Sequence, residues 1–296
     1  MSGGSPMQTL TVEHPVPFVL PPGQPIQVAL LGCGGTGSHI ALALARLAYH
    51  VREQSGPPLA LTFIDGDLVE RRNIGRQLFT AREIGKPKAQ VLADRLNAAL
   101  GLRITAVPAM ATASLLAELQ PGYQTIGILV GAVDTASGRR AMHEALGRST
   151  WRLWLDVGNE RDWGKVLLGT VTDARQLRGA LALGGICTAL PAPTLRYPHL
   201  RDDAPLQLRA DCAHASADGA QSLMVNQTMA AVTGQYLHQL VIARQITTCE
   251  TALDLATLTM RSTPITAESI AAAGDLTVAD VTTLPETTTK RKGGHP

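Results

Sequence analysis

Residues 30–45 read LLGCGGTGSHIALALA, and this stretch decides the fold class. It places a glycine-rich turn between a short apolar run, Ile26–Leu31, and a segment with helical periodicity. Glycines at this spacing let the backbone approach a phosphate closely, so the pattern is typical of nucleotide-binding domains. The turn alone does not identify the nucleotide, because enzymes that use NAD, FAD or ATP share it.

Alternating strands and helices follow the turn, and they predict a parallel sheet. We expect a Rossmann-like, doubly wound α/β fold, with a mostly parallel sheet, helices on both faces and an irregular crossover segment. Ser38 is a plausible cap for the first helix. The expected strands are 26–31, 59–64, 104–107, 126–130 and 153–157; the expected helices are 38–49, 88–100, 111–119, one ending near 146, and 223–246, with the crossover at about 169–211.

Composition excludes several classes of protein. The chain has 296 residues, 45% of them apolar, which is enough for a sizeable core. A net charge of +2 and an aromatic content of 3% argue against nucleic-acid binding. The four cysteines form no CxxC pair and indicate no disulfide framework, and neither a signal peptide nor a membrane span is evident. We therefore expect a cytoplasmic protein without a membrane partner.

Polar residues downstream of the second strand narrow the choice of nucleotide chemistry. Asp65 follows that strand, where a carboxylate can accept hydrogen bonds from both ribose hydroxyls. Asn73, Arg76 and Gln77 come close behind, and Lys88 lies at a helix start. Cations that converge with helix-start amides suit a reaction in which a phosphoanhydride breaks. A dehydrogenase is the least favoured alternative, because it leaves these residues unexplained.

The order and spacing of these motifs resemble the ThiF/MoeB/ubiquitin-activating-enzyme superfamily. The resemblance extends over residues 26–245, and residues 211–241 are similar to the plasmid-associated, bacterial branch called PRTRC system ThiF family proteins. The matching positions are GxGGxGS at Gly32, Gly34, Gly35, Gly37 and Ser38, DxD at Asp65 and Asp67, NxxRQ at Asn73, Arg76 and Gln77, GxPK at Gly85, Pro87 and Lys88, and the pair Asp134 and Arg139.

This resemblance implies an ATP-dependent adenylation with magnesium, in which a carboxylate attacks the α-phosphate and pyrophosphate leaves. It implies that Arg76 and Lys88 stabilise the α-phosphate region and that Asp134 binds Mg²⁺. Arg139 is a matched position without an assigned role. The positions implied to bind the nucleotide are Gly32, Gly34, Gly35, Gly37, Asp65 for the ribose, Asp67, and Asn73 and Gln77 for the triphosphate.

The resemblance also implies a domain plan and a set of partners. Residues 1–25 are expected to form an N-terminal arm, 26–250 the adenylation domain, and 251–296 a C-terminal extension and flexible tail. The expected assembly is a homodimer. The expected substrate is a ubiquitin-like protein ending in Gly-Gly, with a conjugating-enzyme-like protein as a further partner. A small molecule or a modified tRNA carboxylate is an alternative substrate, and a nucleotide-binding scaffold without catalysis is an alternative function.

Two departures from the family pattern and two cysteines bear on these expectations. The family's structural zinc needs two CxxC pairs, so we expect no structural zinc here. No Lys or Arg precedes Arg46, whereas related dimers insert an N-terminal arginine into the neighbouring ATP site. Cys187, in the crossover segment, and Cys212, with His214 nearby, are candidate acyl acceptors, and for each we favour the alternative of a purely structural role.

Overall fold

An eight-stranded sheet forms the centre of the computed structural model, which describes residues 14–202 and 223–284. The strands are β1 Phe18–Val19, β2 Ile26–Leu31, β3 Leu59–Ile64, β4 Thr105–Val107, β5 Ile126–Gly131, β6 Trp151–Asn159, β7 Trp163–Gly169, β8 Gln245–Ile246, β9 Thr248–Asp254 and β10 Thr259–Pro264. The α-helices are α1 Gly35–Glu53, α2 Lys88–Leu100, α3 Ala113–Glu118, α4 Ala136–Arg148, α5 Pro193–Arg196, α6 Leu223–His238, α7 Ala267–Gly274 and α8 Val278–Thr282.

Strand order in the main sheet is β10-β9-β7-β6-β5-β2-β3-β4. The five strands from β6 to β4 are parallel to one another, and β7, β9 and β10 continue the sheet in antiparallel pairing. β2 lies in the middle of the parallel half, in register with β3 on one side and β5 on the other. The mostly parallel, Rossmann-like sheet expected from the sequence is therefore confirmed.

Helices cover both faces of this sheet. Side chains on a strand alternate between the two faces, and on β2 the side chains of both faces are apolar and buried. Val28 and Leu30 of β2 belong to the larger buried cluster, which includes side chains of α1, α2 and α6. Ala29 and Leu31 point the other way, into a second cluster with side chains of α3 and α4. The doubly wound arrangement thus follows from a strand that is buried on both faces.

The first helix begins earlier than the sequence predicts. α1 begins at Gly35, with Gly34 as its N-cap, so the prediction that Ser38 caps it is wrong. Ser38 is buried inside the first turns, where its hydroxyl donates to the Gly35 carbonyl and accepts from the Leu78 N–H. This serine therefore attaches the loop that follows β3 to the start of α1.

The C-terminal part of the chain completes the main sheet, and the domain boundary expected at residue 250 stays a prediction. It falls inside β9, which pairs with β7, and β10 then forms the edge of the sheet. Two short helices, α7 and α8, follow and bury Ile270 and Val281 in the core. Residues 285–296, which include most of the expected flexible tail, lie outside the described residues.

The crossover segment contains short ordered elements within the part that is described. A 3₁₀ turn at Ala174–Leu177, α5 and a second 3₁₀ turn at Pro198–Arg201 lie between β7 and residue 202. The long C-terminal helix expected at 223–246 is α6 followed by a π-helical turn at Gln239–Ala243, after which the chain enters β8. No helix within residues 14–202 and 223–284 is both long enough and apolar enough to cross a membrane.

Candidate functional site

A cavity of about 560 Å³ lies at the carboxyl ends of the parallel strands. Ligands of open α/β sheets bind at this edge, because the loops there leave a crevice between neighbouring strands. Residues that follow β2, β3, β5 and β6 all line it. The sequence-predicted residues among its lining are Gly32, Gly34, Gly35, Asp65, Asp67, Asn73, Arg76, Gln77, Lys88, Asp134 and Arg139.

Two positions of the glycine turn require glycine, because another part of the backbone passes close to each of them. Gly32 has a φ of +87°, and a Cβ there would lie 2.5 Å from the Ala132 carbonyl oxygen. A Cβ on Gly37 would lie 1.9 Å from the Gly32 carbonyl oxygen. Gly37 therefore packs the start of α1 against the turn and does not itself line the cavity. The Ser38 N–H donates to the Gly34 carbonyl, but the N–H groups of Gly35, Thr36 and Gly37 have no hydrogen-bond acceptor within the described residues, so these three are available to an anion.

Asp65 is fixed at the end of β3 by two backbone hydrogen bonds. Its Oδ2 accepts the Cys33 N–H at 2.6 Å, and its Oδ1 accepts the Asp67 N–H at 2.8 Å. Burial raises the pKa of Asp65 above its ordinary value, although these two N–H donors and Lys88 oppose the rise. The carboxylate is thus held in one orientation at the cavity wall, as a hydrogen-bond acceptor for ribose hydroxyls needs to be.

Lys88 reaches the cavity from the first turn of α2. Its ammonium lies 2.8 Å from Asp67 Oδ2, and the two side chains differ greatly in exposure, 8% for Lys88 and 61% for Asp67. The backbone supports the same pairing, because the Lys88 N–H donates to the Asp67 carbonyl at 3.0 Å. The Asp67 carboxylate thereby holds the Lys88 side chain in place at the cavity.

The loop between β3 and α2 positions Asn73, Arg76 and Gln77. Asn73 is buried, and its Oδ1 accepts the Glu70 N–H at 2.7 Å, which shapes the 3₁₀ turn Arg71–Asn73. Gln77 is also buried, and its Oε1 has no partner among the described residues. Arg76 is half-buried and its guanidinium makes no hydrogen bond or ion pair within that part of the chain. The cation is therefore free to meet an anion in the cavity.

Asp134 follows β5 and lies just before Thr135, the N-cap of α4. The Thr135 hydroxyl accepts a hydrogen bond from the Gly138 N–H, and the helix begins after it. The Asp134 carboxylate therefore lies before the helix and is exposed at the cavity. It makes no hydrogen bond or ion pair within residues 14–202 and 223–284. A free carboxylate beside a phosphate site suits a magnesium ion, which is held by few carboxylates together with phosphate oxygens.

Arg139 is part of a buried ion pair that the sequence did not predict. Its Nε lies 3.1 Å from Asp156 Oδ2, and both side chains line the cavity with almost no exposure. Burial raises the pKa of Asp156 above its ordinary value, while Arg139 favours the charged carboxylate and opposes the rise. Asp156 lies on β6, opposite the last residue of β5, and Arg139 lies on α4, which follows β5. The neighbouring positions of β5 and β6 therefore bring Arg139 and Asp156 together.

A second polar cluster lines the other side of the cavity. Lys165 of β7 lies 3.0 Å from Glu250 of β9 and donates to the Tyr197 hydroxyl at 2.9 Å. That hydroxyl in turn donates to the Glu250 carboxylate. Burial lowers the pKa of Lys165, but the hydrogen bonds to Tyr197 and Glu250 outweigh it and raise the pKa overall. No sequence motif pointed to this cluster, because Lys165 and Glu250 come from strands whose pairing the sequence left unpredicted and Tyr197 comes from the crossover segment.

Asn226 and Asn159 form a third group that the sequence did not single out. The Thr36 hydroxyl lies 2.8 Å from Asn159 Oδ1 and 2.9 Å from Asn226 Oδ1, and Asn159 Nδ2 donates to Asn226 Oδ1 at 3.2 Å. All three side chains line the cavity. They join the first turn of α1, the end of β6 and the start of α6.

The cysteines do not join the site in the described residues. Cys187, proposed as an acyl acceptor, is 3% exposed, and its thiol donates to the Ala189 carbonyl. Burial raises the pKa of Cys187 to about 12, so in this conformation the thiol is neither accessible nor readily ionised. These observations favour the structural role over the acyl acceptor, which stays a prediction. Cys212 and His214 lie outside the described residues. No group of three or more His, Cys, Asp or Glu side chains suited to a metal ion occurs at residues 14–202 or 223–284.

The ThiF family model matches residues 24–154, the segment that carries most of the site. Over 126 residues the chain is 31% identical to the NEDD8-activating enzyme E1 catalytic subunit of Saccharomyces cerevisiae. That alignment covers 42% of this chain and 38% of the relative, so the chain spans well under half the length of this curated relative. These matches support the resemblance to the ThiF/MoeB/ubiquitin-activating-enzyme superfamily over this segment.

Solved structures share the fold over a longer part of the chain. E. coli MccB, solved with ATP, matches with a TM-score of 0.56 at 16% identity, over 82% of this chain and 64% of that chain. A structure of PaaA matches with a TM-score of 0.52 at 20% identity, over 81% of this chain and 64% of that chain. Both likenesses confirm the fold, and this chain spans slightly less than two thirds of either protein.

Proposed function

We propose that this protein uses ATP to adenylate a carboxylate. A carboxylate oxygen attacks the α-phosphorus, the bond to the bridging oxygen breaks, pyrophosphate leaves and an acyl-adenylate remains. The observation that carries the proposal is that the glycine turn, Asp65, Lys88, Arg76 and Asp134 meet in one cavity at the carboxyl edge of the sheet. MccB, which shares the fold, has been solved with ATP, and a relative is named as an E1 catalytic subunit.

In this proposal each residue of the cavity has a role that follows from its position. Asp65 accepts hydrogen bonds from the ribose, while the free N–H groups at the start of α1 meet phosphate oxygens. Asn73 and Gln77 orient the triphosphate, and Asp67 holds Lys88 in place. Lys88 and Arg76 stabilise the charge that develops as the phosphoanhydride breaks, and fixed cations at such a point cost no reorganisation during the reaction. No protein nucleophile is needed for this step.

Asp134 fits a magnesium ion, because its carboxylate is exposed at the cavity and has no partner in the described part of the chain. When bound there, Mg²⁺ would neutralise charge on the pyrophosphate that leaves. Asp134 would hold that ion through its carboxylate, next to the N-terminus of α4.

For the acyl substrate we propose a small ubiquitin-like protein that ends in Gly-Gly. The relative named as a NEDD8-activating subunit supports this choice, and residues 211–241 support the PRTRC branch. We further propose a bacterial, plasmid-associated, cytoplasmic homodimer that works with a conjugating-enzyme-like protein, with Cys212 as the acyl acceptor if a thioester forms. A small molecule or a tRNA carboxylate would use the same cavity.

ATP–pyrophosphate exchange tests the proposal. Purified full-length protein with Mg²⁺, ATP and labelled pyrophosphate is combined with each Gly-Gly-ending protein encoded beside its gene. We expect exchange that depends on one such partner and disappears when its terminal Gly-Gly is removed. An absence of exchange with every neighbouring gene product would overturn the ubiquitin-like assignment, and an absence with small carboxylates as well would overturn adenylation.

One observation favours a second candidate, a nucleotide-binding scaffold without catalysis. The Lys88 ammonium is already paired with Asp67 and almost completely buried, so it is less free than a catalytic cation need be. A scaffold would bind ATP, show no exchange, and keep its cellular role in the Lys88→Ala variant. Measuring exchange and the cellular role in that one variant separates the two candidates.

A further inference from the structure

Asn226 carries a buried hydrogen-bond donor that the rest of the site does not use. The residue is 1% exposed and lines the cavity. Its Oδ1 accepts a hydrogen bond from Asn159 Nδ2 and lies beside the Thr36 hydroxyl. Its Nδ2 has no partner among the described residues, although a buried amide without a partner is unfavourable.

The Asn226 amide is oriented with its oxygen toward Asn159, which leaves its nitrogen without a partner among the described residues. If this amide alone were reversed, its Nδ2 would face Asn159 Nδ2 at the 3.2 Å now occupied by a donor and an acceptor. Two donors would then oppose each other. The Thr36 hydroxyl has one proton and can donate to only one of the two amide oxygens at a time. The hydrogen bond from Asn159 Nδ2 to Asn226 Oδ1 does not depend on where that proton points. The Asn226 N–H₂ group therefore points away from Asn159.

The free N–H₂ group lies against the first turn of α1. A Cβ built on Gly35 would lie 2.8 Å from Asn226 Nδ2 and 3.0 Å from the other amide atoms, so the amide packs directly on this glycine. The backbone N–H groups of Gly35, Thr36 and Gly37 also have no acceptor in the described part of the chain. A side-chain donor of α6 and three backbone donors of α1 are thus close to one another and all lack an acceptor there.

We propose that Asn226 donates a hydrogen bond to a phosphate oxygen of the bound nucleotide. The Asn226 N–H₂ group and the backbone N–H groups of Gly35, Thr36 and Gly37 are donors without acceptors in the described residues, and helix N-termini bind phosphate through the same kind of N–H group. Asn226 is thereby a binding residue for the nucleotide, and Asn159 positions it. The inference rests on the proposed function, because that function requires a nucleotide in this cavity.

Titration calorimetry of the full chain tests the inference with three probes: ATP, inorganic tripolyphosphate and adenosine. Asn226→Asp keeps the oxygen that Asn159 contacts but replaces the donor with a carboxylate oxygen. We expect ATP and tripolyphosphate to bind about 100-fold more weakly and adenosine to bind as before. Asn226→Ala, which adds no charge, should cost about tenfold, the loss of one hydrogen bond to a charged group.

A matched control is Asn97→Asp, because Asn97 bonds the Ile104 backbone outside the cavity and should leave all three affinities unchanged. Thermal unfolding checks that each variant is folded. Unchanged affinity for ATP and tripolyphosphate in folded Asn226→Asp and Asn226→Ala would overturn the inference. An equal loss of affinity for adenosine would also overturn it, and so would variants that slow only the carboxylate-dependent exchange reaction. If the wild-type protein binds no ATP, both proposals fail; if it binds ATP without exchange, only the proposed function fails.

Discussion

Lys88 occupies a position that protein stability alone does not favour. A cation at the N-terminus of a helix opposes the helix dipole, and a buried ammonium loses its hydration. Here the lysine is the first residue of α2, its side chain is 8% exposed, and a single carboxylate, Asp67, pairs with it. Residues that break local rules in this way are expected at functional sites. The Lys88 position therefore favours a role in charge stabilisation.

Removal of either cation, the paired Lys88 or the unpaired Arg76, should slow adenylation without unfolding the protein. We expect Lys88→Ala and Arg76→Ala to lower the exchange rate by roughly 10² to 10³-fold, the typical cost of losing one preorganised donor to a transition state. Lys86→Ala and Arg71→Ala are matched controls on the same loop whose side chains do not line the cavity, and they should exchange at wild-type rates. Wild-type exchange in Lys88→Ala and Arg76→Ala would remove both residues from the mechanism.

Asp134 should behave differently, because its expected ligand is a metal ion and not the phosphate chain. In Asp134→Asn the carboxylate charge is lost, so we expect exchange to require a higher Mg²⁺ concentration and to recover in part when Mg²⁺ is in excess. A magnesium titration of the exchange rate measures this shift, with Lys88→Ala as the comparison that excess metal does not restore. Equal magnesium dependence in Asp134→Asn and the wild type would contradict the assignment.

Cys187 should be chemically inert in the folded protein. Burial raises the pKa of its thiol to about 12, so only about one molecule in ten thousand carries the thiolate at pH 8. We expect iodoacetamide at pH 8 to label Cys187 only after denaturation, as followed by peptide mass spectrometry. We also expect Cys187→Ala to retain exchange. Rapid labelling of Cys187 in the folded chain would show that the crossover segment opens.

Sequence motifs identified the nucleotide side of the site more completely than the rest of it. Asp65, Lys88 and Asp134 all line the cavity, because each lies at or within a few residues of the end of an element that the hydrophobic pattern predicts well. Asp156, Lys165 and Asn226 were missed. Each contributes through pairing between distant parts of the chain, and an isolated acid, lysine or asparagine gives no local signal of that.

The strand β2, the glycine turn and α1 form one strand–turn–helix unit, on which the proposed nucleotide site depends most. Its strand was predicted to the residue, whereas the helix start was misplaced by three residues. The error has a physical cause: with glycines as the N-cap and first helical residue, no side chain caps the helix, and the usual signal is absent. The antiparallel strands β7, β9 and β10 were missed, since their mixed polar and apolar sequences lack a clear period.

A methyl group in this turn should disrupt it. In Gly37→Ala the new Cβ would lie 1.9 Å from the Gly32 carbonyl oxygen, which is backbone and cannot rotate away. We expect the free energy of unfolding to fall by about 3 kcal/mol, the cost of severe overpacking, with loss of ATP binding. Gly122→Ala is the control, because a Cβ there meets nothing within 4 Å, and its stability should change by less than about 0.5 kcal/mol. Urea unfolding measures both, and equal stabilities would contradict this close approach.

At the scale of the whole molecule, the two halves of the sheet contribute to different sides of one cavity. The parallel half supplies the glycine turn, Asp65 and Asp134, whereas the antiparallel half supplies Lys165. Four strand spacings separate β3 from β7, which is roughly 19 Å at about 4.8 Å per strand. A cavity of this span has room for a nucleotide at the parallel side and an acyl group toward Lys165. The arrangement suits a reaction that joins two substrates.

The products of ATP turnover show whether the chemistry occurs at the α-phosphate, as adenylation requires. The full chain, Mg²⁺ and the Gly-Gly partner that supports exchange are incubated with α-labelled or γ-labelled ATP, and the products are separated by chromatography. The account predicts that the α label appears in AMP or its acyl ester and that the γ label appears in pyrophosphate. Release of ADP with the γ label in orthophosphate or on the partner would contradict it, because the bond broken would then be the one to the γ-phosphate.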